Sequence, residues 1–212
     1  MRSTYPAFLD LTDVPTLLVG GGRVALRKLE GLLAGGATPD VLSPELSAPV
    51  QALVASFGLA YRASHFAPGA VQGYRVVVAA TNDRSVNAAI GREARDNGAW
   101  VNVVDDPEAS NFLVPAVLRQ GEVVAAVSTG GASPLLAAAV RERLEEIVTP
   151  GLGRAAERLL ALREEVRRRW PSDEERRRTF WKDLVSQEFL DLATAGNDEE
   201  VESRIAACLS RS

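Results

Sequence analysis

Short apolar runs alternate with segments of helical periodicity through the first half of the chain. The runs have the length of buried strands, and turn residues such as Gly35-Gly36 and Ser43-Pro44 separate them from their neighbours. Strands that alternate with helices of this length predict an α/β, Rossmann-type domain with a parallel, doubly wound sheet. The predicted strands are Leu17–Val19, Thr38–Leu42, Gly58–Ala63, Arg75–Ala80, Trp100–Val104 and Val123–Ser128, and the helices among them cover 24–34, 48–57 and 85–97.

The second half of the chain follows a different pattern. Ser133-Pro134 has the N-cap and first-position residues of a helix, which we expect to run to about Val148. Thr149-Pro150-Gly151 is the clearest boundary signal, and everything beyond it is helical in pattern and rich in arginine. The sequence therefore predicts three parts: a Rossmann domain over 1–113, a strand-helix segment over 114–150 and a small helical C-terminal domain over 151–212.

Composition narrows the class of protein. Hydrophobic residues make up 46% of the chain and charged residues 25%, as in ordinary globular proteins, and the net charge of −4 argues against a nucleic-acid partner. Cys208 is the only cysteine, which excludes a disulfide framework and a cysteine-based metal cluster within one chain. Because the chain has no apolar run of membrane-spanning length and no leader pattern after Met1, we expect a cytoplasmic protein without a membrane partner.

The stretch Thr16–Lys28 carries the strongest chemical signal. An apolar run ends in Gly20-Gly21-Gly22 and continues directly into a helical pattern, giving the spacing G-x-G-x-x-A. In a dinucleotide site the first glycine permits the tight turn, and the second lets the backbone approach the pyrophosphate, which the first helical amides face. A tight strand-helix turn without a ligand is the alternative interpretation.

The end of the second strand bears on the choice of cofactor. An acidic residue roughly twenty positions after the glycines usually binds the adenosine ribose hydroxyls. Asp40 lies inside the predicted strand, whereas Glu45 follows its end and is better placed. With no arginine or lysine at that end for a 2′-phosphate, the sequence favours NAD over NADP. Glu45 as a merely solvated residue stays an alternative.

Two further strand ends should face the same crevice. Thr81 closes the most apolar strand, and Asp105 closes the next one. A carboxylate at Asp105 could act as a general base or as a metal contact, although Asp105-Asp106-Pro107 is also ordinary turn chemistry. Likewise, Thr81 could serve only as a helix cap.

A second glycine turn follows the last predicted strand. Its sequence, Ser128–Pro134, combines hydroxyls with two glycines and the start of a helix. Such a turn can bind an anion, and it can equally be a capping motif.

The ordered set of motifs resembles the precorrin-2 dehydrogenase / sirohydrochlorin ferrochelatase family, the siroheme synthase N-terminal module. No single motif is specific, but their order along nearly the whole chain is. The motifs are Phe8–Leu11, Leu18–Lys28, Ala79–Asp83, Asn102–Asp105, Ser110–Phe112, Pro115-Ala116, Val127–Pro134 and Arg176–Trp181.

The resemblance implies an activity, NAD-dependent oxidation of precorrin-2 to sirohydrochlorin. It also implies that the aspartate matching Asp105 accepts protons and contacts metal, that 114–150 is a dimerisation segment exchanged within a homodimer, and that 151–212 covers the tetrapyrrole. Some family members also insert Fe²⁺ into sirohydrochlorin, and this second activity stays open. Where some members have a phosphorylated serine, this sequence has Thr129. With no methyltransferase domain after Ser212, we expect precorrin-2 to come from another protein.

We thus expect a site of three groups of residues. Asp105 is the catalytic and metal-contacting residue. An NAD-sensing regulatory module without catalysis is the alternative function. The expected cofactor-binding residues are Gly20, Gly22, Arg23, Val24, Pro44, Glu45, Thr81 and Val104, and the expected substrate-binding residues are Ser128, Thr129, Gly130 and Ser133.

Overall fold

A parallel sheet of five strands organises the first part of the computed structural model, which describes residues 4–211. Its strands are β1 (Thr16–Val19), β2 (Asp40–Leu42), β3 (Tyr61–Arg62), β4 (Val76–Ala79) and β5 (Trp100–Val103). They lie in the order β3-β2-β1-β4-β5, and every neighbouring pair is parallel. The predicted α/β Rossmann-type fold is confirmed.

Helices cover both faces of this sheet, which explains why its strands are continuous apolar runs. The helices are α1 (Arg23–Ala34), α2 (Ala48–Phe57) and α3 (Arg84–Asp96). Leu17 and Val77 belong to one core together with Ile90 of α3, whereas Leu18 and Val78 belong to the other core with Leu29 of α1. The edge strand β3 is shorter than its prediction.

The strand order reverses at β1. The chain passes from β1 outward to β2 and β3, and then returns to add β4 and β5 on the other side. In open α/β sheets a ligand crevice lies outside the carboxyl ends of the strands at such a switch point. The loops after β1, β4 and β5 are therefore the ones to examine.

Residues 115–211 form a second compact unit, separate from residues 4–114. It begins with a hairpin of β6 (Ala116–Gln120) and β7 (Val123–Val127), followed by α4 (Pro134–Leu144). The sequence did not predict β6, because its apolar stretch is short and is followed by Arg119 and Gln120. The helix α4 ends earlier than predicted, since its last amides form shorter i to i−3 hydrogen bonds up to Ile147.

Four helices complete the second unit: α5 (Pro150–Arg169), α6 (Glu174–Leu184), α7 (Gln187–Ala195) and α8 (Asp198–Arg211). Their shared core includes Leu162, Phe180, Phe189 and Ile205. The predicted domain boundary at residue 150 would separate α5 from the hairpin, yet α5 packs against β6 and β7 as well as against α7 and α8. This boundary therefore stays a prediction. Among the described helices, none has the length and apolar character needed to cross a membrane.

Candidate functional site

The turn between β1 and α1 lies directly against the end of β4. Gly20 has φ of +131°, and a Cβ atom at this position would lie 2.3 Å from the carbonyl oxygen of Ala80. The Gly20 amide donates to the Leu42 carbonyl at 2.9 Å, which fixes the turn at the end of β2 as well. Only glycine satisfies both this conformation and this approach.

The N-terminus of α1 is open. Gly22 is the N-cap residue, and no described atom lies within 4 Å of the position that its Cβ would take. Among the described residues no side chain caps this helix, and its first turn contains no acidic residue. Arg23 is exposed and Val24 half-buried beside it. Open space, uncapped amides and a positive helix end fit the pyrophosphate of a dinucleotide.

Gly21, the middle glycine, lies against the loop that follows β2. A Cβ atom there would be 2.1 Å from the Glu45 carbonyl oxygen, and the Gly21 carbonyl accepts from the Ser47 amide at 2.8 Å. The buried Ser43 hydroxyl donates to the same Glu45 carbonyl at 2.7 Å. Pro44 and Glu45 thus lie exposed beside the glycine turn. Sequence reasoning missed Gly21, whose constraint comes from a distant loop.

Asp40 cannot serve as the ribose ligand. Its carboxylate accepts a hydrogen bond from the Tyr74 hydroxyl, at the opposite end of β2. Burial, and then this hydrogen bond, raise the pKa of Tyr74 to about 12. Arg62 donates to the Tyr74 hydroxyl from β3 at 3.3 Å, so Asp40 belongs to a structural cluster.

The turn after β4 is held by Asn87, a buried residue of α3 that sequence reasoning missed. Its Oδ1 accepts from the Thr81 amide at 3.1 Å and from the Thr81 hydroxyl at 2.7 Å. Its Nδ2 donates to the Thr81 carbonyl at 3.0 Å. Asp83 caps the helix by accepting from the Ser85 and Val86 amides. Thr81 therefore uses its hydroxyl to shape the crevice wall.

Asp105 lies at the tip of the loop after β5. It is exposed and has φ of +58°, a conformation that aspartate tolerates better than most residues. Its neighbour Asp106 is committed to the loop itself, since its Oδ1 accepts from the Ala109 amide at 2.9 Å. Val104 is half-buried against the core on the α1 side. Of the two carboxylates, Asp105 is the one directed away from local structure.

Lys28 of α1 interacts electrostatically with Asp105. Burial and the adjacent Arg27 lower the pKa of Lys28, and the Asp105 carboxylate acts in the opposite direction. A half-buried cation thus accompanies the exposed carboxylate. No sequence pattern pairs these two residues, because they lie far apart along the chain.

The edge of β5 is closed by the segment Ser110–Phe112. Asn111 accepts from the Val101 amide through Oδ1 at 2.6 Å and donates to the Ala99 carbonyl through Nδ2 at 2.9 Å. Asn102 donates to the Phe112 carbonyl at 3.2 Å, while its Oδ1 is buried without a partner among the described residues. Asn102 and Asn111 thus hold this segment against the edge of β5, at residues that precede the Asp105 loop.

The expected substrate-binding residues lie in the second unit. Thr129 Oγ1 accepts from the Ser133 amide at 3.2 Å, and Ser128 Oγ accepts from the Gly130 amide at 3.2 Å. Ser133 caps α4 by accepting from the Leu136 amide at 3.2 Å. All three hydroxyls take part in local capping, and the sides of Gly130 are open within the described structure.

Many arginines of the helical tail are already paired. Arg154 meets Asp198 at 2.8 Å, and Arg158 meets Glu202 at 2.6 Å. Arg169 and Arg176 lie over the ring of Trp170, at 5.2 Å and 5.4 Å from its centroid. These contacts hold the tail helices together, so the arginine content alone does not indicate a polyanion.

Residues 4–211 contain no group of three or more His, Cys, Asp or Glu side chains arranged to hold a metal ion. Asp105 would therefore offer a metal a single carboxylate.

Three family models match successive parts of the chain. The first, described as "Putative NAD(P)-binding", covers residues 7–116. The second, the sirohaem biosynthesis protein central region, covers 126–147, and the third, the sirohaem synthase dimerisation region, covers 151–209.

Curated relatives include siroheme synthases. That of Chromobacterium violaceum is 40% identical over 207 residues, which are 96% of this chain and 44% of the relative. That of Methylococcus capsulatus is 41% identical over 197 residues, which are 93% of this chain and 41% of the relative. The chain thus spans less than half the length of these relatives.

A solved structure has the same architecture. The precorrin-2 dehydrogenase SirC superposes with a TM-score of 0.76 at 25% identity, and the match covers 94% of this chain and 100% of that one. Together with the first family model, which spans more than half of the chain, these matches confirm the predicted resemblance. The chain belongs to the NAD(P)-binding family that forms the first part of siroheme synthases.

Proposed function

We propose that the chain is a precorrin-2 dehydrogenase that transfers hydrogen to NAD and releases sirohydrochlorin. The observation that carries this proposal is the placement of Asp105 at the same edge of the sheet as the open glycine turn. One strand, β4, separates the two loops, so they start roughly 10 Å apart. A dinucleotide bound at Gly22 would lie at the same edge of the sheet as Asp105. The SirC match supports the substrate.

The glycine turn and the loop after β2 bind the cofactor in this proposal. The amides at the start of α1 bind the pyrophosphate, with Gly20, Gly22, Arg23 and Val24 forming that wall. Glu45, held beside Gly21, binds the ribose hydroxyls, and its negative charge disfavours a 2′-phosphate. NAD is thus favoured over NADP. Bound NAD supplies a hydride acceptor.

Asp105 accepts the proton in the oxidation. Of the two hydrogens that precorrin-2 loses, the Asp105 carboxylate would accept the one that leaves as a proton, and NAD bound at the glycine turn would accept the one that leaves as a hydride. An exposed carboxylate at the loop tip can reach a large substrate and afterwards release its proton to water. The partly buried ammonium of Lys28 interacts electrostatically with this carboxylate.

We propose Fe²⁺ insertion into sirohydrochlorin as a second activity of the same site. The curated relatives include siroheme synthases. Insertion of the ion displaces two N–H protons of the tetrapyrrole, which Asp105 would accept one at a time and pass to water. The tetrapyrrole nitrogens would hold the iron, with Asp105 as one oxygen ligand. Ser128, Thr129, Gly130 and Ser133 are proposed to bind substrate carboxylates.

A homodimer is the proposed assembly. The match of residues 151–209 to a dimerisation region supports it. The exposed apolar side chains of α4, which precedes that region, support it independently. Leu135 is 83% exposed and Leu136 54%, which is unusual for side chains of this size on one helix. A second copy of the chain that covers α4 would bury them. We place the enzyme in the cytoplasm, where NAD is available as a cosubstrate.

The direct test is turnover by the purified protein. Precorrin-2 and NAD should give the absorbance of sirohydrochlorin together with one NADH for each molecule oxidised. Folded protein that binds NAD but forms neither product would support the alternative, an NAD-sensing module. Adding Fe²⁺ to sirohydrochlorin and recording the siroheme spectrum tests the second activity separately.

A further inference from the structure

The hydroxyl of Ser110 joins both sides of the Asp105 loop. Its oxygen accepts a hydrogen bond from the Val103 amide at 2.9 Å. As a donor, the hydroxyl has two carbonyl oxygens within reach, that of Asp106 at 2.8 Å and that of Val103 at 3.2 Å. Val103 is the last residue of β5, and Asp106 follows Asp105. One buried side chain thus connects the residues on either side of Asp105.

We propose that Ser110 is a positioning residue for Asp105. This inference rests on the proposed function, in which Asp105 accepts the proton. The left-handed backbone of Asp105, with φ of +58°, is sparsely populated and persists only where the surroundings fix it. Ser110 fixes it from both sides, and the hydrogen bond from the Ala109 amide to Asp106 Oδ1 closes the same loop.

Asn111 supplies a matched control, because it closes the same edge of β5 without touching the loop. Its side chain binds the Val101 amide and the Ala99 carbonyl, both of which precede the loop. The variants Ser110→Ala and Asn111→Ala each leave one amide of β5 without its side-chain acceptor. They therefore weaken the fold in comparable ways, but only Ser110→Ala releases Asp105.

The first arm measures turnover of precorrin-2 and NAD in both variants, with NAD affinity determined by calorimetry. Ser110→Ala should lower kcat roughly 10- to 100-fold, since small misplacement of a reacting group has effects of this size. Its Kd for NAD should match the wild type, and Asn111→Ala should keep its kcat within about twofold of the wild type. Equal loss in both variants, or an unchanged kcat in Ser110→Ala, would overturn the proposal.

The second arm measures amide hydrogen exchange and needs no activity. Ser110→Ala should speed exchange at Asp106 and Ala109 by about tenfold or more, while Asn111→Ala should speed it at Val101 instead. Unchanged exchange in the loop of Ser110→Ala would overturn the proposal. Wild-type protein that fails to oxidise precorrin-2 would refute the proposed function alone, and the exchange result would then decide the role of Ser110.

Discussion

Two glycine turns in this chain have similar sequences but differ in the contacts around their glycines and in the capping of the helix that follows. Each follows a strand, contains adjacent glycines and leads into a helix. At Gly20-Gly21-Gly22 the first two glycines press against neighbouring backbone, and the helix that follows has no side-chain cap. At Gly130-Gly131 the sides are open within the described structure, and Ser133 caps the helix.

The difference shows what a strand-glycine-helix pattern leaves undecided. The first turn is constrained from behind by Ala80 and Glu45, and its helical amides stay free in front. The second turn satisfies its own amides with the hydroxyls of Ser128, Thr129 and Ser133. Under the proposed function, the first binds the cofactor through its backbone, and the second meets the substrate with hydroxyls already held in place.

The largest contrast is expected between Gly20→Ala and Gly130→Ala. A methyl group at Gly20 collides with Ala80, so NAD affinity should fall on the order of 100-fold and the free energy of unfolding should drop by about 2 kcal/mol or more. Gly130→Ala meets open space and should lose only about 1 kcal/mol from its left-handed backbone. Calorimetric titration with NAD and urea unfolding measure both. Equal NAD affinity in the two variants would erase the distinction between the turns.

Gly22→Ala separates binding from folding. Its extended backbone accepts alanine, so unfolding should change by less than about 1 kcal/mol. The methyl group would enter the space given to the pyrophosphate, and the Kd for NAD should rise roughly tenfold. Gly31→Ala, inside the same helix and also facing open space, is the control. Its free energy of unfolding should rise by about 0.5–1 kcal/mol, and its NAD affinity should be that of the wild type. Wild-type NAD affinity in Gly22→Ala would contradict the proposal that the pyrophosphate occupies the space beside Gly22.

Ser133→Ala tests the capped turn. Loss of the hydrogen bond to the Leu136 amide should cost about 1 kcal/mol, while NAD affinity stays that of the wild type. Urea unfolding and NAD titration check the two statements. A stability like that of the wild type would mean that the second turn does not depend on its cap.

The smallest effect is expected at Asp83, the N-cap residue of α3. Hydrogen bonds from the Ser85 side chain and from the Val86 and Ser85 amides lower the pKa of Asp83. Since the folded-state pKa is the lower one, Asp83 stabilises the fold above the pKa of the unfolded chain and loses this effect as pH falls through the folded value. The stability advantage of the wild type over Asp83→Asn should therefore shrink as pH drops below about 4. If the stability difference between the wild type and Asp83→Asn did not change with pH, the charge of Asp83 would contribute nothing and the cap would act through hydrogen bonding alone.

The features that could be predicted from the sequence are those that a local pattern of residues determines. The strand before Gly20, the helix after Gly22 and the strand before Asp105 follow from periodicity and turn residues. Hence the fold class and the candidate loops could be anticipated before the structure, whereas the strand order and its reversal at β1 come from the structure.

The remaining features depend on contacts between distant parts of the chain. Gly21 is constrained by Glu45, Thr81 is held by Asn87, and Ser110 binds back to Val103. None of these pairings has a periodic signal, because each requires the path of a loop in space. The strand β6 was missed for a different reason: it is partly exposed, and its apolar stretch is short and ends in two polar residues.

The most direct test of the central claim is turnover by Asp105→Asn. Asparagine tolerates the same left-handed backbone, so the loop should keep its shape while it loses the proton acceptor. We expect NAD to bind with wild-type affinity and kcat for precorrin-2 oxidation to fall about 100-fold or more. A variant that forms NADH and sirohydrochlorin at the wild-type rate would contradict the role assigned to Asp105.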